Sequence, residues 1–312
     1  MSGLLLLLLV VLTVGVAACG AGENVGDAGT VSTTEGSQPT VTSSDESSTT
    51  SSTATSSTET TQTSVTSTTS IPDGESMQVR VYYSRDEMMS AHTRVVPKTD
   101  SVGAAAMKAL LEGPTQTERD ADVVTNIPEG TTFLGLSIDD GIATVDLSQE
   151  YASGGGSFSM AMRLAEVVFT LTQFPTVDGV NFMLDGKPVE VFGGEGIILD
   201  HPLGRDDYEG FSPAILVESP TLGETISSPV RITGTANTFE ATFQLNITDW
   251  DGRIVYDEVV TATSGTGTRG TFDVTASFDV DRSGPGSIIA FVYSARDGSQ
   301  ENVIEIPVYI EK

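Results

Sequence analysis

Hydrophobic patterning changes character three times along the chain. Leu4 to Ala18 form an almost unbroken apolar run, and large apolar residues then nearly vanish until Met77. From Met77 to Tyr83, Val79, Val81 and Tyr83 alternate with Gln78, Arg80 and bulky Tyr82, the period-2 pattern of a half-buried strand, after which a polar loop is expected. Val102, Ala105, Ala106, Ala109 and Leu110 recur at helical spacing behind a cap at Asp100 or Ser101, and Gly113-Pro114 stops that helix. Two strands, 131–138 and 142–147, flank the turn Asp139-Asp140-Gly141. A second helix follows Gly154–Ser157, with Met160, Leu164, Val167, Val168 and Leu171 on its apolar face and Arg163, Glu166, Thr170 and Gln173 opposite, ending at Pro175. Strands 180–184 and 189–192 then flank Asp185-Gly186-Lys187-Pro188. Strand, helix, hairpin, helix and hairpin make an α+β domain over residues 77–208, with helices covering a sheet.

Beyond residue 212 the helical period disappears. About seven short strands, 215–218, 230–235, 241–248, 253–263, 271–279, 287–295 and 302–309, follow one another between turns. Phe243, Leu245 and Ile247 alternate, as do Phe272, Val274, Ala276 and Phe278, so each sheet buries one face. Residues 213–312 are therefore expected to fold as an all-β immunoglobulin-like sandwich.

Composition changes the picture at the N-terminal end. Ser and Thr supply 29 of the 41 residues from Thr30 to Ser70, too little apolar surface to offset the entropy of ordering, so residues 19–76 are expected to be a disordered linker. Its random-coil span would be roughly 40–45 Å. The run ending at Ala18 is shorter than the ~20 residues needed to span a bilayer and reads as a signal peptide, residues 1–18, although Met1-Ser2-Gly3 carry no basic residue. Val16-Ala17-Ala18-Cys19 resembles a bacterial lipobox, which implies lipidation of Cys19, the chain's single cysteine. The expected location is the outer face of the cytoplasmic membrane, reached through that lipid, in the cell envelope. Fifteen Lys plus Arg against 43 Asp plus Glu give a formal charge of −28, which repels nucleic-acid phosphates and leaves no nucleic-acid partner.

Five blocks in the α+β region, Ala109–Pro114, Ile127–Thr131, Ala143–Ser148, Leu171–Pro175 and Asp185–Val189, together resemble the GerMN domain, named for a sporulation and germination lipoprotein. The sandwich blocks Ser228–Ala236, Phe239–Ala241, Asp251-Gly252, Gly270–Phe272, Arg296–Ser299 and Ile306–Val308 resemble Gmad2, an immunoglobulin-like domain that commonly follows GerMN. The resemblance implies an exported, lipid-anchored, non-catalytic protein that binds or scaffolds an extracytoplasmic protein or cell-wall glycan, with a sporulation or germination connection. It transfers no catalytic residue and implies no cofactor.

Candidate chemistry is sparse. Gly154–Ser157 could offer amides to an anion, but no Lys-Ser/Thr follows, and neither Ser157 nor Ser159 sits in a nucleophile elbow. Asp139-Asp140, Asp206-Asp207 and Asp249 with Asp251 fall in turns, where Asp is favoured for backbone reasons, and His92 and His201 lie far apart, so no metal site is expected. Asn246-Ile247-Thr248 has the form of a glycosylation sequon but lies in an expected strand. Trp250, in the turn Asp249–Gly252, and Tyr256 are the candidate contact surface. Two alternatives are an envelope enzyme acting on wall polymers, which a convergent acidic pair between the domains would mark, and a solute-binding lipoprotein.

Overall fold

The computed structural model describes residues 75–194 and 196–312. The expected leader, Cys19 and nearly all of the expected linker lie outside the described residues.

The chain enters as a hairpin of β1 (Ser76–Arg85) and β2 (Met88–Pro97), in register from Ser76↔Pro97 to Arg85↔Met88. The polar loop expected after Tyr83 is thus a second strand. Two physical features hide it. Its turn, Asp86-Glu87, places both residues at positive φ without a glycine, so the usual Asn-Gly or Asp-Gly signal is missing. On the face of β2 that carries Val96, the neighbouring positions are His92 and Arg94, which break the apolar alternation.

Those two polar groups are matched by α2 (Gln116–Arg119), which follows α1 (Val102–Leu111). Thr115 and Glu118 form a capping box at the start of α2. Buried Glu118 also takes a bidentate pair from Arg94, at 2.7 and 2.6 Å. His92 Nδ1 lies 3.0 Å from Glu118 Oε1 but off the direction of a formal hydrogen bond. Burial alone would push the Glu118 carboxyl up; the His92 ring, the Arg94 guanidinium and the Thr115 amide outweigh it and hold the group well below the ordinary carboxylate range. Burial also lowers the His92 pKa.

Strand β3 (Val123–Val124) completes the sheet β2-β1-β3. A second sheet, β4-β5-β6-β7, comprises β4 (Phe133–Asp139), β5 (Ile142–Leu147), β6 (Gly179–Leu184) and β7 (Lys187–Pro188). The β4–β5 turn carries Asp140 and Gly141 at positive φ, as the Asp-Gly pattern requires. Strands β5 and β6 are parallel and are joined through α3 (Ser157–Leu171), while β8 (Val191–Phe192) and β9 (Ile197–Ile198) make a small ribbon. The α+β class therefore holds, with two sheets and a ribbon in place of one sheet.

Helix α3 is buried almost all round, including the Arg163, Glu166 and Thr170 side chains expected on a solvated face. Each finds partners inside the fold, with Arg163 Nε alone left unmatched among their polar atoms. Arg163 donates to the carbonyls of Tyr151, Ser153 and Gly154, so the glycine loop presents oxygens to a guanidinium. Thr170 accepts from the Tyr82 amide, and Gln173 bonds both the N–H and C=O of Arg80, closing the free edge of β1 as a strand would. Glu166 accepts from the Thr125 hydroxyl and from the Asn126 amide and side chain.

Burial pushes the Glu166 carboxyl up to about 7 against those bonds. Between the unfolded carboxyl value near ~4.3 and pH 7, the folded chain keeps a proton that the unfolded chain has released, so this group makes stability fall as pH rises. The expected contribution is about 3 kcal/mol across that window. Urea midpoints at pH 5 and pH 7.5 should show a smaller fall for Glu166→Gln than for the parent chain; parallel behaviour would contradict the assignment.

The second region has eight strands: β10 (Ile215–Ser219), β11 (Thr225–Ile226), β12 (Val230–Ala236), β13 (Thr242–Thr248), β14 (Ile254–Thr261), β15 (Gly270–Ala276), β16 (Gly284–Tyr293) and β17 (Gln300–Ile310). They form sheets β10-β12-β15 and β11-β17-β16-β13-β14 around a core that includes Ile232, Phe243, Leu245, Ile247, Phe272 and Ile288. This is the expected immunoglobulin-like sandwich. Strands β10 and β12 approach so closely that a Cβ on Gly234 would stand 2.0 Å from the Leu216 carbonyl oxygen.

Candidate functional site

The two cores share one strand. Ile215 and Val217 of β10 point into the sandwich core, whereas Leu216 between them packs in the core of the α+β region. The period-2 alternation of a strand makes that division possible. Between Val217 and Ser219 the β10–β12 register shifts, leaving Glu218 out of the ladder as a bulge residue, the device by which strands re-aim a side chain.

Glu218 is aimed at a polar knot. Its Oε1 accepts from the Tyr82 hydroxyl and from Arg205 Nη1, the latter at 2.7 Å, and Arg205 Nη2 donates to the Tyr82 hydroxyl oxygen at 3.0 Å. The guanidinium also lies over the rings of Tyr82 and Phe169, 5.1 and 4.7 Å from their centroids. Burial pushes the Tyr82 hydroxyl up to about 12. It would raise Glu218 too, but the Arg205 charge outweighs it and holds that carboxyl below its usual range. The knot keeps a charged pair in place between the regions without leaving either partner bare.

Smaller links run beside it. The Thr93 amide donates to Thr221 Oγ1 at 3.1 Å, Arg85 Nη1 donates to the Glu305 carbonyl at 2.8 Å, and Arg269 Nε meets Glu209 at 2.8 Å. Between the Arg85 link and the shared strand an open groove of about 480 Å³ remains. Met88, Met89 and Ala91 line it from β2, Leu216 from β10, and Val303 and Ile304 from β17. The left-handed turn residue Asp86 stands at its rim. Methionine walls adapt to shape, and a groove bordered by edge strands can receive a partner segment by packing and by main-chain bonding.

The residues singled out from the sequence are elsewhere. Trp250 is 41% exposed, with the Arg282 guanidinium 3.5 Å from its ring centroid; Tyr256 lies in β14 and packs partly against the sandwich core. Asp249 accepts from the Asp251 and Arg253 amides and the Arg253 side chain, which is turn chemistry. His201 sits exposed between Asp200 and Asp207, and buried His92 belongs to the Glu118 cluster. Among the described residues, no three His, Cys, Asp or Glu side chains come together as metal ligands would. The Tyr82–Arg205–Glu218 knot was not foreseen: Tyr82 reads as an outward position of a strand, and Arg205 falls in a short polar stretch with the look of a connector. The faint signal was an acidic residue directly after the apolar triplet Ile215-Leu216-Val217.

Residues 80–190 match the Germane family, described as sporulation and spore germination, and residues 214–299 match Gmad2, described as an immunoglobulin-like domain of bacterial spore germination. A curated relative, Lipoprotein LpqB of Thermobifida fusca (strain YX), is 30% identical over 122 residues; the match covers 39% of this chain and only 19% of that relative's length. Among solved structures, the chain is similar to the first GerMN domain of the sporulation protein GerM from Bacillus subtilis, at 23% identity and a TM-score of 0.36 over 42% of this chain and 99% of that one. It is also similar to the tandem GerMN domains of the same protein, at 20% identity and a TM-score of 0.37 over 65% and 61%.

Proposed function

With a GerMN domain followed by a Gmad2 domain as the premise, we propose that this chain is a lipid-anchored, non-catalytic binding module of a bacterial cell envelope. Cys19 carries the lipid, the Ser/Thr-rich linker sets the reach from the outer face of the cytoplasmic membrane, and the groove between the domains holds an extracytoplasmic protein. The observation that carries this reading is the groove itself: apolar walls contributed by both domains, bordered by strand edges and fixed in shape by the Tyr82–Arg205–Glu218 knot. Pocket walls of this kind suit packing against a partner. The LpqB relative is a lipoprotein, which supports the anchor, and both families' association with spore germination supports a sporulation or germination setting.

The test is made in native envelopes. A radiolabelled fatty acid should mark the chain and leave Cys19→Ala unmarked, and a photo-cross-linking residue at Met88 should give one protein adduct that is lost with the anchor. Labelling of both forms would refute the lipid assignment. Adducts that survive blocking the groove with Ala91→Trp would refute the groove as the binding surface.

A further inference from the structure

A second pocket of about 500 Å³ lies against the five-stranded sheet and adjoins the groove between the domains at Asn302, which lines both. Its floor is unusual for a solvated sheet face. Phe239 is 75% exposed, Val259 65% and Tyr293 60%, and Tyr293 stands edge-on to buried Phe291 at a centroid distance of 5.1 Å. Thr238, which lines the same pocket, is buried, yet its hydroxyl has no hydrogen-bond partner. A buried hydroxyl left unmatched is uncommon.

Backbone strain gathers at the same place. Glu240 and Ala241 have φ of 53° and 59°, and Asn302 across the pocket has 54°; none is glycine. The first two are held there by the Thr266 hydroxyl, which accepts from the Glu240 amide, and by Gly265, where a Cβ would stand 2.6 Å from Ala241. Left-handed non-glycine residues concentrate at ligand-binding places because the surroundings must over-determine them.

Charge selects the occupant. Among the lining residues the one charged side chain is Glu301, Glu240 flanks Phe239, and no Lys or Arg lines the pocket. Elsewhere in the chain, guanidinium groups cover aromatic rings: Arg94 on Tyr83, Arg205 on Tyr82 and Phe169, and Arg282 on Trp250. No such cation accompanies Phe239 or Tyr293 among the described residues. We infer that this pocket receives a basic segment of a partner protein, with an Arg or Lys side chain lying against Phe239 and Tyr293 and its charge meeting Glu301. The inference concerns a second surface, which meets the groove only at Asn302, and does not depend on the lipid.

The test uses the full chain at physiological salt and a capped heptapeptide carrying two arginines and two leucines among glycines, followed by fluorescence anisotropy. Phe239→Ala and Tyr293→Ala preserve every charge and remove side chains that are mostly exposed. Each should weaken binding by about tenfold, and Glu301→Gln by several-fold. Unchanged melting temperatures would show that these variants remain folded. Undiminished affinity in both aromatic variants would mean that the peptide merely follows the net charge, and would overturn the site. So would equal binding of a peptide with glutamate in place of arginine. Binding of a chitin tetrasaccharide that disappears in the same variants would overturn it in favour of a glycan.

Discussion

Glu118→Ala should destabilise the chain by about 3–5 kcal/mol at pH 7, because it leaves Arg94 without its carboxylate in a buried cluster. It also deletes one half of the capping box that starts α2. Glu118→Gln keeps an acceptor for the Thr115 amide but loses the charge, and should fall between the alanine variant and the parent chain. The pH dependence fixes the cause. A carboxyl whose folded pKa is depressed contributes stability that is present above its unfolded value, near ~4.3, and lost as pH falls below it. Urea unfolding should therefore show the gap between Glu118→Ala and the parent chain narrowing from pH 7 to pH 3. A gap of constant size would mean that packing, not charge, sets the cost.

The second large effect belongs to the knot between the domains. Glu218→Ala strands the Arg205 guanidinium among Tyr82 and Phe169, at an expected cost of about 3–5 kcal/mol. Tyr82→Phe, which removes one hydroxyl and retains the tilted ring contact with Phe169, should cost about 1–2 kcal/mol. Replacing both charged partners, Arg205→Met with Glu218→Leu, should recover most of the loss, since a well-packed apolar pair often substitutes for a buried ion pair. Hydrogen exchange adds a spatial readout: in Glu218→Ala the amides of β10 and of β2 near Ala91 should exchange faster, while those of β13 and β16 keep their protection. A double variant as unstable as Glu218→Ala would show that the knot does not act as a pair.

What the sequence disclosed depended on whether a residue's role is set by its neighbours in the chain or by remote ones. Helices α1 and α3, the β4–β5 hairpin and most sandwich strands were legible because periodicity and Asp-Gly turns are local signals. Strand β2 was hidden because His92 and Arg94 owe their burial to Glu118, more than twenty residues away. Likewise the polar side chains of α3 could be placed inside only by knowing that Tyr151, Asn126 and Tyr82 wait there with matching groups. Periodicity assigned Leu216 to a strand, but could not say that alternate residues of that strand serve two different cores. Exposed Phe239 and Tyr293 lacked any local signature, since an aromatic on a strand or beside one reads first as core.

The way the chain enters the fold has a mechanical corollary. Ser76 pairs with Pro97 at one end of the opening hairpin, while Arg85, at the other end, holds the sandwich through Glu305. A pull transmitted through the residues ahead of Ser76 and resisted through β2, whose Thr93 bonds Thr221, slides β1 along its partner strand. The ladder bonds of an antiparallel pair run across the strands, so such a pull loads them together instead of peeling them apart one at a time. On its opposite edge β1 is stitched at Arg80 and Tyr82 by Gln173 and Thr170, which would have to yield in the same motion. Tension applied along this line meets a shear joint, whereas the same force drawn from Pro97 away from Ser76 would unzip it.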